Sequence, residues 1–166
     1  MDLQQKQTLS KISMELIWCF FTGVAAFFIV QPLWKDFKDY FFIHQLIIYI
    51  IVFITFSRYI FFLKFTFLAK AQKIKILLIF LSFPLVFYLF ASFFELRSFM
   101  DRLSEGMLEY ESYFRDGISD EQRFIAVNYL AKQYTFFGVS AIISVIVAPF
   151  RLILSIWRVY NQTGKV

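Results

Sequence analysis

The sequence predicts an all-α integral membrane protein: four transmembrane helices, the third and fourth extended into an extramembrane antiparallel helical hairpin. Three observations predict it. Of the 166 residues, 60% are hydrophobic and 25 are Phe, well above the roughly 45–50% apolar content of ordinary soluble domains. Residues 16–34, 40–57, 76–94 and 133–150 contain no Asp, Glu, Lys or Arg, and each approaches the ~20 residues a helix needs to cross a ~30 Å hydrocarbon core. No stretch alternates with the period of two expected of barrel strands, and a helix satisfies its own backbone hydrogen bonds in lipid.

The first span, residues 16–34, is longer than a signal-peptide core, and its end, "FFIVQPLW", has no small-x-small cleavage site. It is read as a retained signal anchor. Cys19 lies inside it and is the only cysteine, which excludes an intramolecular disulfide, a CxxC redox pair and a cysteine zinc cluster. A small apolar packing role is expected of it. Thr22 and Ala26 give this span a weak small-residue spacing. The turn that follows, "KDFKD", pairs Asp36 with Asp39, but five residues between two spans leave no room for a catalytic site.

The second span, residues 40–63, carries the only histidine, His44, beside Gln45; a packed or interfacial role is expected there. Arg58 interrupts its apolar run. The third span, 76–94, contains Pro84, and the fourth, 133–157, contains Pro149, where a proline can kink a helix and free carbonyls. The fourth also holds Ser140, Ser144 and Ala148 at four-residue spacing, flanked by Gly138. Small residues so spaced let another helix approach closely, so this stripe is expected to be the main helix-packing or oligomer interface.

Residues 95–132 read as the extramembrane hairpin. Leu96, Phe99, Leu103, Met107, Tyr110 and Phe114 recur three or four apart, as on one helix face, and extend the third helix outward as an arm over residues 96–116, with a bend near Gly106. Gly117 then supplies a left-handed stop, with Ile118 placed to touch Tyr113 as in a Schellman cap. Ser119 and Gln122 form a capping-box pattern, and Asp120 and Glu121 put negative charge in the first turn of the next helix. The turn of the hairpin is thus expected near residues 117–119.

Charge sets the orientation. Placing both termini and the "FLAKAQKIK" loop in the cytoplasm puts ten basic residues inside and seven outside, and that loop, dense in Lys and free of acid, adjoins two spans. Both termini are therefore expected in the cytoplasm of a multi-pass protein of a bacterial inner membrane. The net charge of +5 follows from the same rule and does not call for nucleic acid. Arg58 and Arg151 can snorkel to lipid phosphates, or they can meet Glu15, at the inner end of the first span, in one charged cluster.

The chain has no P-loop, no Gly-rich dinucleotide turn, no HExxH and no nucleophile elbow. One histidine remote from the acids cannot supply a triad or a histidine metal site, and no carboxylate sits at mid-membrane, where coupled transporters place them. No catalytic residue, metal, cofactor or small-molecule substrate is therefore expected; the expected partners are the bilayer and a membrane or extracytoplasmic protein. In size, span number and want of catalytic groups the chain resembles small accessory, exclusion or immunity proteins of bacterial inner membranes. The resemblance implies a non-enzymatic protein that binds another protein through the hairpin and the fourth-span seam. The alternative is a homo-oligomeric pore or channel-like effector built on the same seam.

Overall fold

A computed structural model of the chain describes residues 3–38, 41–69, 71–104 and 113–163. It is all-helical: α1 Leu3–Asp36, α2 Phe41–Phe62, two 3-10 turns at Leu63–Phe65 and Phe67–Ala69, α3 Gln72–Ser104, and α4 Asp120–Thr163. All four α-helices are long and apolar enough to span a membrane. The described residues contain no β-strand, only an isolated antiparallel bridge between Phe37 and Phe114.

The helices run up and down. The end that holds both chain termini and the 3-10 turns is here termed basal, and the opposite end, with the α1–α2 and α3–α4 connections, apical. α4 is the longest helix, 44 residues or about 66 Å at 1.5 Å per residue, and α2 and α3 both pack along it while α1 lies chiefly against α2. α2 and α4 run in the same direction, so their shared contacts step down the bundle in register: Gln45 with Tyr134, Ser57 with Ser144, and the Ile60 carbonyl with Arg151.

Burial is concentrated toward the apical half, where Val30, Leu33 and Phe37 of the α1 end meet Leu46, Tyr49 and Ile50 of α2, Leu89 and Leu96 of α3, and Leu130, Tyr134 and Ala141 of α4. A much smaller basal cluster gathers Leu63, Leu68 and Leu152. Outside these clusters the helices turn large apolar side chains outward, among them Phe20, Phe28, Phe80, Phe87 and Phe150, each at least 64% exposed. Between 17% and 39% of the most apolar window of each helix is buried, so most of that apolar surface faces away from the protein. Such a surface is stable where the solvent is itself apolar.

The hairpin differs from its expected form. α3 is described as far as Ser104, five residues beyond Phe99, whose ring stacks on that of Phe42 with centroids 4.2 Å apart. Met107, Tyr110 and Gly106, expected in the arm and its bend, lie outside the described residues. At Phe114 the chain is no longer helical but pairs with the first connection: Lys38 N donates to the Tyr113 carbonyl (2.9 Å) and Arg115 N to the Asp36 carbonyl (3.0 Å). A helix C-terminus leaves its last carbonyls unmet, and Arg115 fills that of Asp36 while Phe37 N closes onto Leu33 (3.1 Å). The Phe37 and Phe114 rings, 4.8 Å apart, then bury each other almost completely. That burial outweighs continuing the stripe of residue 96 onward as one helix to Asp116.

Gly117 does take a left-handed conformation, φ 85°, but it turns the chain out of this bridge rather than ending a helix. Ser119 starts α4: its Oγ accepts from Gln122 N, and its own N–H donates to Gln122 Oε1, both at 3.3 Å.

Candidate functional site: a charged collar at the basal end

Three cations ring the basal end, each closed on a different acceptor. Arg58, in the last turns of α2, donates through Nη1 to Glu15 Oε2 of α1 at 2.5 Å. Glu15 Oε1 also accepts from the backbone N of Phe67 at 3.1 Å, so a single carboxylate ties α1 to α2 and to the 3-10 connection. The Arg58 guanidinium carbon sits 5.3 Å from the centre of the Trp18 ring. Trp18 is one turn beyond Glu15, so the acid and the ring share one face of α1.

Arg151 does not join this pair. Its Nε donates to the Ile60 carbonyl at 3.0 Å, binding α4 to the end of α2, where helix carbonyls lack partners. Of the cluster expected from sequence, Glu15 and Arg58 are therefore brought together and Arg151 forms a separate clamp at a neighbouring position on α2.

The third cation is Lys75, which sequence reasoning placed only among the loop charges. Its side chain is fully buried, and its three ammonium hydrogens match three acceptors: the Ala69 carbonyl at 2.9 Å, Ser155 Oγ of α4 at 3.0 Å and Gln72 Oε1 at 3.3 Å. A buried ammonium is costly unless fully hydrogen-bonded, and here all three donors are used on neutral oxygens. The residue joins the 3-10 connection, the first turn of α3 and the last turns of α4. Its spacing from Gln72, one helical turn, is the only hint the sequence holds.

The small-residue stripe of α4 faces inward. Gly138, Ala141, Ser144 and Ala148 are buried and Ser140 half-buried. Ser144 Oγ donates to the Ser140 carbonyl at 2.7 Å, so the 3.3 Å contact between Ser57 and Ser144 has Ser57 of α2 as its donor. A Cβ on Gly138 would lie 2.7 Å from the Phe93 ring of α3, so the absence of a side chain there is what lets α3 close. The partners of the stripe are α2 and α3 of the same chain.

A buried polar knot on the apical side was not anticipated. Tyr49 Oη donates to the Leu89 carbonyl (2.7 Å) and Tyr134 Oη to the Ser92 carbonyl (2.8 Å), with Gln45 Oε1 3.2 Å from the Tyr134 hydroxyl. It joins α2, α3 and α4 where three helices meet. His44, its neighbour on α2, is exposed.

At the apical rim the Lys38 ammonium lies 2.8 Å from Asp116 Oδ1 and holds that carboxyl below the usual range, first through the hydrogen bond and then through its charge. Among the described residues no group of three or more His, Cys, Asp or Glu is placed to hold a metal ion. No family model, curated protein or solved structure matches the chain.

Proposed function

We propose that this chain is a small, non-enzymatic, multi-pass protein of a bacterial inner membrane, with both termini in the cytoplasm, that works by binding another protein at its apical cap. It belongs functionally with accessory, exclusion or immunity subunits. The observation that carries the reading is the division of its surface. The helices turn Phe, Ile and Leu outward, whereas the apical turn exposes Asp116, Asp120 and Glu121 together. Lipid covers the first surface without specificity, so the second is the part available for recognition in water.

The polar interior supports a scaffold rather than a reaction centre. The hydroxyls of Tyr49 and Tyr134 and the Lys75 ammonium are each directed at carbonyl or side-chain oxygens of the protein itself. Because the α4 stripe packs within the chain, the homo-oligomeric pore reading would need another surface and stands second.

The test places a cysteine at Glu121, exposed in the first turn of α4, in a Cys19→Ala background. Gly117 is unsuitable, since its φ of 85° strains any side chain. The expected result is labelling of intact cells by a membrane-impermeant maleimide and a crosslink to one other protein. Labelling only after the membrane is opened would overturn the orientation. Ion flux through liposomes holding the purified protein alone, with no crosslinked partner in native membranes, would favour the pore.

A further inference from the structure

Arg58 is only 9% exposed, yet it makes a single hydrogen bond, through Nη1 to Glu15. A guanidinium carries five N–H donors. Its Nε and Nη2 are not among the buried polar atoms that lack a partner, so they remain reachable, and the residue lines a cavity. That cavity, about 270 Å³, opens between α1 and α2 and is lined by Trp18, Thr22, Gly23, Ile51 and Thr55 besides the ion pair. A separate apolar hollow of about 540 Å³, lined by Ile17, Phe21 and Ala25, lies on the other side of Trp18 and Thr22. The polar end of the first cavity, Glu15 and Arg58, lies basally, and its apolar lining continues to Gly23 and Ile51, nearer the middle of the helices.

We infer that this groove binds one phosphate-bearing amphiphile, its phosphate on the free N–H groups of Arg58 and its acyl chain lying between α1 and α2. Four features fit that chemistry. Guanidinium and phosphate match as planar fork and oxygen pair. Glu15 is no obstacle, because both its oxygens are already engaged, by Arg58 and Phe67 N. Among the described residues of the basal segments it is the only acid, facing Lys11, Lys64, Lys73 and Arg158, so the surrounding potential favours an anion. Finally, a guanidinium with N–H donors left open at the end of a membrane helix takes a further acceptor, and an acyl chain can lie along the apolar lining of the same cavity.

The inference rests on the bundle lying in a bilayer but not on any protein partner, and it is tested in detergent, where the crosslinking result has no bearing. Native mass spectrometry of the whole protein, titrated with a palmitoyl-oleoyl phosphatidylglycerol, should show one bound lipid per chain. The matching diacylglycerol, lacking phosphate, should bind at least roughly tenfold more weakly, as should glycerol phosphate, lacking the chain. The double variant Glu15→Gln/Arg58→Gln removes both charges without orphaning either and should lose the preference for phosphate.

Gly23→Leu provides an independent arm. A Cβ there meets nothing within 4 Å, so the variant should fold, judged by helical circular dichroism and a monodisperse elution peak, while its side chain blocks the groove and abolishes the adduct with the ion pair intact. Equal binding of diacylglycerol, equal binding of glycerol phosphate, an undiminished phosphate preference in the folded double variant, or an undiminished adduct in folded Gly23→Leu would each overturn the proposal.

Discussion

The two ends of the bundle are fastened by opposite means. At the apical end the fastening is aromatic and backbone: Phe37 on Phe114, Phe42 on Phe99, and a two-bond bridge that seals the end of α1. At the basal end it is cationic: Arg58 on a carboxylate, Lys75 and Arg151 on oxygens that helix ends and turns leave unmet. The difference follows from what each end must join. Apically two connections meet side by side, and ring burial suffices. Basally the helices are held by side chains that reach across to a turn, and a long cation with several donors is the group that can do so.

Removing one fastener from each end puts that contrast to the test. The largest effect is expected for Phe114→Ala, which deletes a ring buried to 1% exposure and should lower unfolding stability in detergent by about 3–5 kcal/mol. A loss under ~1 kcal/mol would mean that the apical bridge is ornamental. Next, Lys75→Met keeps the length and apolar stem but orphans three acceptors, and should cost roughly 2 kcal/mol. Since buried charges replaced by apolar groups can also stabilise, a gain on SDS titration would show that Lys75 is tolerated rather than used as a clamp.

Tyr134→Phe lies between the ends and should cost about 1 kcal/mol, the net worth of one hydrogen bond, because it leaves the Ser92 carbonyl without its donor while keeping the ring packing. If differential scanning fluorimetry places it level with Phe114→Ala, the polar knot and not the ring clasp governs the apical half.

The smallest effect belongs to Asp116. Its carboxyl titrates below the usual range because of Lys38, so the pair contributes above the unfolded value of ~3.9 and is lost as the pH falls through the lower folded one. Asp116→Asn should lower the neutral thermal midpoint only slightly, since the side chain is 95% exposed, and remove the matching shallow slope that the parent shows as the pH falls below about 5.

The positions of the helices could be read from sequence because a membrane span demands an unbroken apolar run, and of the four charge-free stretches residues 16–34, 41–57, 76–94 and 133–150 lie inside α1 to α4. The α4 stripe was equally plain, since small residues at four-residue spacing have few uses besides close packing. Glu15 and Arg58 could be set at one level, as both stand at the same end of adjacent antiparallel helices, but the sequence left their pairing open against snorkelling and added Arg151 to it.

The rest depends on the tertiary structure. The stripe from Leu96 to Phe114 has helical spacing, but spacing cannot show that Phe37 waits in another connection to take Phe114 as its partner. Lys75 read as one loop charge among several because a lysine at a helix end ordinarily snorkels, and nothing local shows that Ser155 of α4 will cover it. Tyr134 lies on the apolar face that leads into the fourth span, and nothing local shows that the carbonyl of Ser92 will come within reach of its hydroxyl.

The apical bridge also imposes an order on synthesis. Lys38 leaves the ribosome 78 residues ahead of Asp116, with α2 and α3 still to come. Until then the Asp36 carbonyl has no Arg115 to meet it, and Phe37 has no ring to cover it. The first two helices therefore form a hairpin whose tip stays open, and the seal closes only when the start of α4 arrives. A chain stalled before that point would present an unsealed apical end to whatever chaperone or protease it meets.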